Sequence, residues 1–262
     1  MVCTPSAQAQ DLKALEKELE SSLKGRVLTL KVFDRSNWLR FNAQGELVDG
    51  GTSGPWTLYS KFEVADVRLR DQKLEIEGNR TFVRFDEKKE MLHLRTRERV
   101  TVEVTYGSSD ELADQVRASL PKIFLGSGES LAPFVPEYWR SFLVRETVER
   151  RKSVPDGPEE EAWRQRERIR VSSSVQKGKI INQVLPRYPE VAARGRVGGT
   201  VVLEVIVAAD GSVKNFRIVE PARVGLDEAA VEAVQQWKYR PTMLNDKPVE
   251  VQTIINVVFK IP

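Results

Sequence analysis

The chain has 262 residues, 40% hydrophobic and 30% charged, which suits a folded protein of about two domains rather than a disordered one. Lys and Arg number 41 against 38 Asp and Glu, and a net charge of +3 gives no electrostatic argument for nucleic acid. A single cysteine, Cys3, excludes an intrachain disulfide, a single histidine, His93, excludes a multi-histidine metal site, and no run approaches the roughly 18–20 apolar residues of a membrane span.

At the N-terminus, Ala7-Gln8-Ala9 is the small-x-small pattern that signal peptidase cuts after, although the charged and apolar parts of a leader are not in the chain. Residues 1–10 therefore read as a signal-peptide remnant or a disordered tail, and the expected location is the periplasm or cell envelope. Leu12, Leu15, Leu19 and Leu23 then recur at spacings of three and four. They form one apolar helical stripe over residues 11–24, which Gly25 can stop.

From Arg26 to Tyr106 the texture changes to short β runs. Arg26–Phe33, Trp38–Phe41, Lys61–Arg70, Lys73–Glu77, Thr81–Phe85, Met91–Leu94 and Val100–Tyr106 carry the apolar positions, with Gly78-Asn79 read as a turn. Phe62, Val64, Val67 and Leu69 alternate with a break near Ala65-Asp66. About seven strands with tight turns predict an antiparallel meander, barrel or sandwich, and a barrel could hold a small ligand. A helix is expected from Ser109 to about Leu120, ended by Pro121, and the aromatic, proline-rich Leu131–Trp139 is expected to pack back over the sheet. Residues 11–145 are thus one β-rich domain with flanking helices.

Apolar content collapses between Arg145 and Lys179, where charged residues surround Pro155-Asp156-Gly157-Pro158. Residues 146–179 read as a charged linker, partly helical around 158–170.

Residues 180–262 hold the densest set of structural signals. Pro186 and Pro189 restrict the backbone around Tyr188 and lead into a short helix, Glu190–Arg194. Thr200–Val207 is an almost wholly apolar strand, and Asp210-Gly211 is a hairpin turn into Ser212–Val219. Leu226, Ala229, Ala230, Ala233, Val234 and Trp237 form a helical stripe, with Asp227 and Glu228 in the first turn where the helix dipole favours them. After Pro241 and the turn at Asn245–Pro248, a long final strand is expected from Val249 to Ile261.

In this order and spacing, Tyr188-Pro189, Ala192-Ala193-Arg194, Gly199–Val205, Asp210–Val213, Leu226–Ala230, Trp237–Pro241 and Lys247-Pro248-Val249 resemble the C-terminal domain of the TonB family. The likeness covers about a third of the chain and none of residues 1–175. The fold class is α+β: a β-rich antiparallel N-terminal domain, a charged linker, and a small domain with helices packed on an antiparallel sheet of about three strands.

That resemblance implies a periplasmic module that binds an extended segment of a TonB-dependent outer-membrane transporter as an added strand, in energy transduction and transport. It points to Val249–Phe259 as the recruiting edge. The implied partner-binding residues are Tyr188, Pro189, Val249, Val251, Gln252, Thr253, Ile255, Asn256 and Val258, with Gln252 and Asn256 on the side of the strand opposite Val251 and Ile255. The chain as given lacks the N-terminal membrane helix and the long Pro-Lys/Pro-Glu spacer of that family. The alternative is a periplasmic scaffold protein that uses the same module for homodimerisation or peptidoglycan contact.

No catalytic constellation emerges. His93 alternates on a strand, Cys3 lies in the tail, and no G-x-S-x-G, P-loop, H-E-x-x-H or C-x-x-C motif occurs. The reading is a binding protein without cofactor or metal, not an enzyme.

Overall fold

The computed structural model describes residues 7–49, 51–70, 72–85, 91–107, 111–150, 169–222 and 224–261. The chain divides into two compact units, residues 1–83 with 93–131, and residues 84–92 with 132–262. Among the described residues no helix is long and apolar enough to cross a membrane.

In the first unit, helix α1 (Ala7–Leu23) precedes strands β1 (Val27–Thr29), β2 (Trp38–Asn42) and β3 (Leu47–Asp49). Helix α2 (Trp56–Tyr59), strands β4 (Lys61–Arg70), β5 (Lys73–Phe85) and β6 (Met91–Thr105), and helix α3 (Leu112–Ile123) follow. The strands form one six-stranded sheet in the order β1-β4-β5-β6-β2-β3. Pairing is antiparallel at β1–β4, β4–β5 and β2–β3, and parallel at β2–β6. Leu15 and Leu19 of α1 and Leu112, Val116 and Ile123 of α3 share one core with Phe41, Phe62, Leu74, Ile76 and Val102. The sheet is open, ending on β1 and β3, and its interior is filled by side chains. The described strands therefore form an open sheet rather than the closed barrel that is one of the expected alternatives.

The break near Ala65 is a β-bulge. The register runs Val64↔Gly78 and then Asp66↔Glu77, so Ala65 is the extra residue. One inserted residue restores phase, which keeps Phe62, Val64, Val67 and Leu69 on the same buried face.

Gly78-Asn79 is not a turn but the middle of the 13-residue strand β5. A Cβ on Gly78 would stand 2.2 Å from the Glu63 carbonyl oxygen and 2.7 Å from the Phe62 ring, so this glycine allows close approach of β4. The two runs predicted at Met91–Leu94 and Val100–Tyr106 likewise belong to one strand, β6. Pro121 does not end α3 but lies inside its last turn, with Phe124 N–H still donating to the Leu120 carbonyl. The expected start of this helix at Ser109 falls outside the described residues.

The second unit opens with a 3-10 turn (Ala132–Phe134) and helix α4 (Glu137–Arg150). Strand β7 (Ile169–Arg170), helix α5 (Ser173–Lys177), strand β8 (Ile180–Asn182), helix α6 (Glu190–Arg194) and strands β9 (Gly199–Val207) and β10 (Val213–Glu220) come next. Helix α7 (Leu226–Val234) and strands β11 (Lys238–Tyr239), β12 (Thr242–Leu244), β13 (Lys247–Val249) and β14 (Val251–Phe259) complete it. The main sheet has four strands in the order β10-β9-β14-β7. Its first three are antiparallel, and β7 lies parallel to β14. Helix α4 packs along β10, and α7 packs on β9 and β10.

The long strand expected from Val249 to Ile261 is divided at Glu250. Val249 belongs to a separate hairpin in which Thr242 faces Val249 and Leu244 faces Lys247. Its two turn residues, Asn245 and Asp246, both have positive φ (50° and 60°), the geometry that matches strand twist in a two-residue hairpin. The segment read as a charged linker is partly structured. Residues 146–150 continue α4, and 169–177 form β7 and α5 against β14. The helical turn expected around 158–170 falls almost wholly outside the described residues.

Candidate functional site

The edge of β14 depends on how the module around it is locked. At the β9–β10 turn, Gly211 has φ +86°, and a Cβ there would lie 1.9 Å from the Tyr239 carbonyl oxygen. The Tyr239 amide in turn donates to the Gly211 carbonyl at 2.9 Å. Asp210 accepts from the Ser212 amide and hydroxyl and pairs with Lys238 at 3.3 Å. The Ser212 hydrogen bonds and the Lys238 ammonium hold its carboxyl down at about 2. Trp237 donates through Nε1 to the Val184 carbonyl at 2.8 Å, and both Trp237 and Tyr239 are buried.

Strand β14 pairs with β9 along its whole length, from Val251↔Val207 to Phe259↔Gly199. Val251, Thr253, Ile255, Val257 and Phe259 are buried, together with Val201, Leu203, Val205 and Val207 of β9. Each such apolar side chain contributes about 1.5–3 kcal/mol, so this face holds the module together. The opposite face of β14 carries Gln252, Ile254, Asn256 and Val258. A polar ladder crosses that face: Arg217 of β10 stands 3.5 Å from Glu204 of β9, and Glu204 accepts from the Gln252 amide of β14.

The backbone alternates in the same way. In an antiparallel pair, one residue sends both its N–H and C=O to the partner and the next sends both away. The Gln252 carbonyl accepts from the Val171 amide at 3.0 Å, on the side away from β9. Gln252, Ile254, Asn256 and Val258 therefore direct their main-chain groups outward. Strand β7 takes up only the start of this edge, at Val251↔Ile169 and Gln252↔Arg170. From Thr253 to Phe259 no described strand lies beside it.

The residues expected to bind a partner thus separate. Asn256 and Val258 are exposed on the free edge, Val258 with 58% of its surface accessible. Gln252 lies on the edge with its side chain buried and bound to Glu204. Val251, Thr253 and Ile255 face the core, and Val249 stands in the separate hairpin. Tyr188 donates to the Val197 carbonyl at 2.7 Å and meets Phe259 edge-on at 5.6 Å, while Pro189 caps α6. Sequence reasoning passed over Ile254, whose outward backbone follows only from the pairing register.

A second feature of this unit is its buried acids. Helix α7 is buried on nearly every side, including Asp227 and Glu228. Asp227 Oδ1 accepts from the Ala222 amide at 2.7 Å, and Glu228 Oε1 accepts from Trp139 Nε1 at 3.1 Å. Their second oxygens have no partner among the described residues. Burial pushes both carboxyls above the ordinary range, and their proximity raises Glu228 further. Trp139, expected to pack over the β-rich sheet, is a buried partner of α7. Among the described residues, no group of three or more His, Cys, Asp or Glu could hold a metal ion.

Residues 184–261 match the family model described as Gram-negative bacterial TonB protein C-terminal. The chain is 36% identical over 80 residues to Protein TonB of Vibrio cholerae, covering 30% of this chain and 33% of that one. It is 36% identical over 77 residues to Protein tonB2 of Pseudomonas aeruginosa, covering 29% and 28%. The match thus spans a third or less of each of these curated relatives. A solution structure of the Pseudomonas aeruginosa TonB C-terminal domain aligns at 24% identity and a TM-score of 0.28, covering 32% of this chain and 85% of that one. The Helicobacter pylori TonB C-terminal domain aligns at 24% identity and a TM-score of 0.21, covering 29% and 72%. Residues 184–261 are a C-terminal domain of the TonB family.

Proposed function

We propose that this is a cell-envelope protein whose C-terminal module binds an extended segment of a TonB-dependent outer-membrane transporter by adding it as a strand to β14, within energy-transducing transport. The module faces the periplasm, and the β-rich unit of residues 1–83 with 93–131 precedes it in the chain. The reading is that of a binding protein rather than an enzyme. The observation that carries it is the outward row of main-chain groups at Ile254, Asn256 and Val258, next to a position where the same edge already accepts a strand. Such an edge gives affinity through main-chain bonds and asks little of the partner's sequence.

The test is an NMR titration of the full chain with a synthetic peptide from the periplasmic N-terminus of such a transporter. Shifts along the β14 edge from Gln252 to Val258 support the reading, and shifts confined to Tyr188-Pro189 or to the first unit overturn it. The same edge could pair two copies of the chain. Sedimentation showing dimer in wild type and monomer in an edge-blocked variant would favour that scaffold reading instead.

A further inference from the structure

The β14 edge is not wholly free, because the chain seats a piece of itself on it. Ile169 and Arg170 pair in parallel with Val251 and Gln252, and the Val171 amide takes the outward-facing carbonyl of Gln252. These are main-chain groups of the row that strand addition would use. Helix α5 follows at once and also packs on β14. Beyond it, the chain is fixed again: the Arg240 amide donates to the Lys179 carbonyl at 2.8 Å, and β8 pairs with β11. Residues 169–177 are therefore tethered beside the edge at high local concentration.

Their hold is weak. The ladder is two residues long, and Ile169 remains 38% exposed. Gln176 is 1% exposed, yet neither its Oε1 nor its Nε2 has a hydrogen-bond partner among the described residues. A buried amide with nothing to bond opposes the docked state and favours release, where water satisfies it.

We propose that residues 169–177 act as a strap in cis, which occupies the Val251–Gln252 end of the β14 edge and competes with an incoming extended peptide. This rests on the strand-addition reading above. A site that is open only part of the time binds with an apparent affinity reduced by the open fraction. Displacement of the strap would then be the step that commits the module to a partner.

Two substitutions in the full chain push in opposite directions. Val171→Pro removes the amide that bonds Gln252, and Gln176→Leu removes the unpaired amide at similar volume. NMR titrations would follow the Val251, Gln252, Ile254, Asn256 and Val258 amides with two probes. One is a peptide copying residues 169–177 of this chain, and the other is a transporter N-terminal peptide. The expectation is that Val171→Pro binds the transporter peptide about tenfold tighter than wild type, as for an edge previously open about one-tenth of the time. Gln176→Leu should bind it more weakly, and the copy peptide should also bind Val171→Pro about tenfold tighter than wild type. Measurable and equal affinity of wild type and Val171→Pro for the transporter peptide overturns the strap, as does failure of the copy peptide to bind Val171→Pro. If the copy peptide binds Val171→Pro more tightly than wild type while the transporter peptide binds neither protein, the strap stands and the transporter reading falls.

Discussion

Trp139 Nε1 donates a 3.1 Å hydrogen bond to Glu228 Oε1, joining residues 89 positions apart in the chain. The bond ties α4 to the first turn of α7 and gives one buried oxygen of Glu228 a partner. The other has none among the described residues. Trp139→Phe keeps most of the ring and removes the donor, so it is expected to cost about 1–3 kcal/mol in urea unfolding of this unit. Trp139→Ala adds a cavity and is expected to cost about 3–5 kcal/mol.

The two buried acids of α7, Asp227 and Glu228, make stability depend on pH. The folded values of Asp227 and Glu228 are raised above 3.8 and 4.5, because burial disfavours the charged forms. A raised acid holds its proton more tightly when folded. Its contribution is therefore fully present below the ordinary carboxylate range and is lost as pH rises through the folded value. Glu228→Gln keeps an acceptor for Trp139 and cannot ionise. Its Tm should match wild type near pH 4 and rise above it toward pH 8, by about 2–4 °C for each kcal/mol relieved. A constant Tm difference across that range would count against the buried-acid account.

The direction of the main-chain groups on β14 predicts an alternation in proline scanning. Proline is tolerated on an edge strand where its missing N–H would face outward. Asn256→Pro should therefore leave β9–β14 pairing folded while it abolishes binding of an added strand. Ile255→Pro removes a bond to β9 in the middle of the sheet and should cost about 3 kcal/mol or more. Circular dichroism together with peptide titration separates the two outcomes, and the expectation fails if both variants unfold equally.

Two glycines with positive φ should respond unequally to alanine. Gly25 has φ +75° with nothing within 4 Å of a built Cβ, and Gly211 has φ +86° with the Tyr239 carbonyl oxygen at 1.9 Å. Gly25→Ala should cost about 1 kcal/mol, the backbone penalty alone. Gly211→Ala must also move the backbone of Tyr239 and should cost well beyond that, about 3 kcal/mol or more. Thermal unfolding of the two variants makes the comparison.

Arg80 is fully buried, and its guanidinium donates to the carbonyls of Tyr59 at 3.2 Å, Asp34 at 3.1 Å and Ser36 at 2.5 Å. Burial lowers its pKa below the usual value, and the Tyr59 ring lies 4.9 Å from its charged centre. An ammonium cannot reproduce that planar fork. Arg80→Lys is thus expected to cost about 2–4 kcal/mol and to speed amide exchange across residues 34–36.

Much of the second unit was legible because its signals are local. Asp210-Gly211 names its own turn, Leu226–Val234 its own helix, and the apolar run of β9 its own central position. The phase break at Ala65 was equally readable, because a bulge leaves a mark in the alternation itself. Gly78-Asn79 misled because a glycine that makes room for a neighbouring strand and one that makes a turn look alike in sequence. Arg80 gave no signal, since its three acceptors are carbonyls brought together from elsewhere in the chain.

The sequence by itself determined the order and type of the elements from Tyr188 to Phe259 and the family they belong to. Periodicity, turn residues and motif spacing are properties of contiguous residues. Only the tertiary structure decided which residues of β14 face outward, that Val249 stands in a separate hairpin, and that Asp227 and Glu228 are buried. It also decided that Ile169–Val171 sits against the start of the β14 edge. Those facts depend on register, on long-range packing and on the cost of burying charge, and none of these is encoded in any short window of the chain.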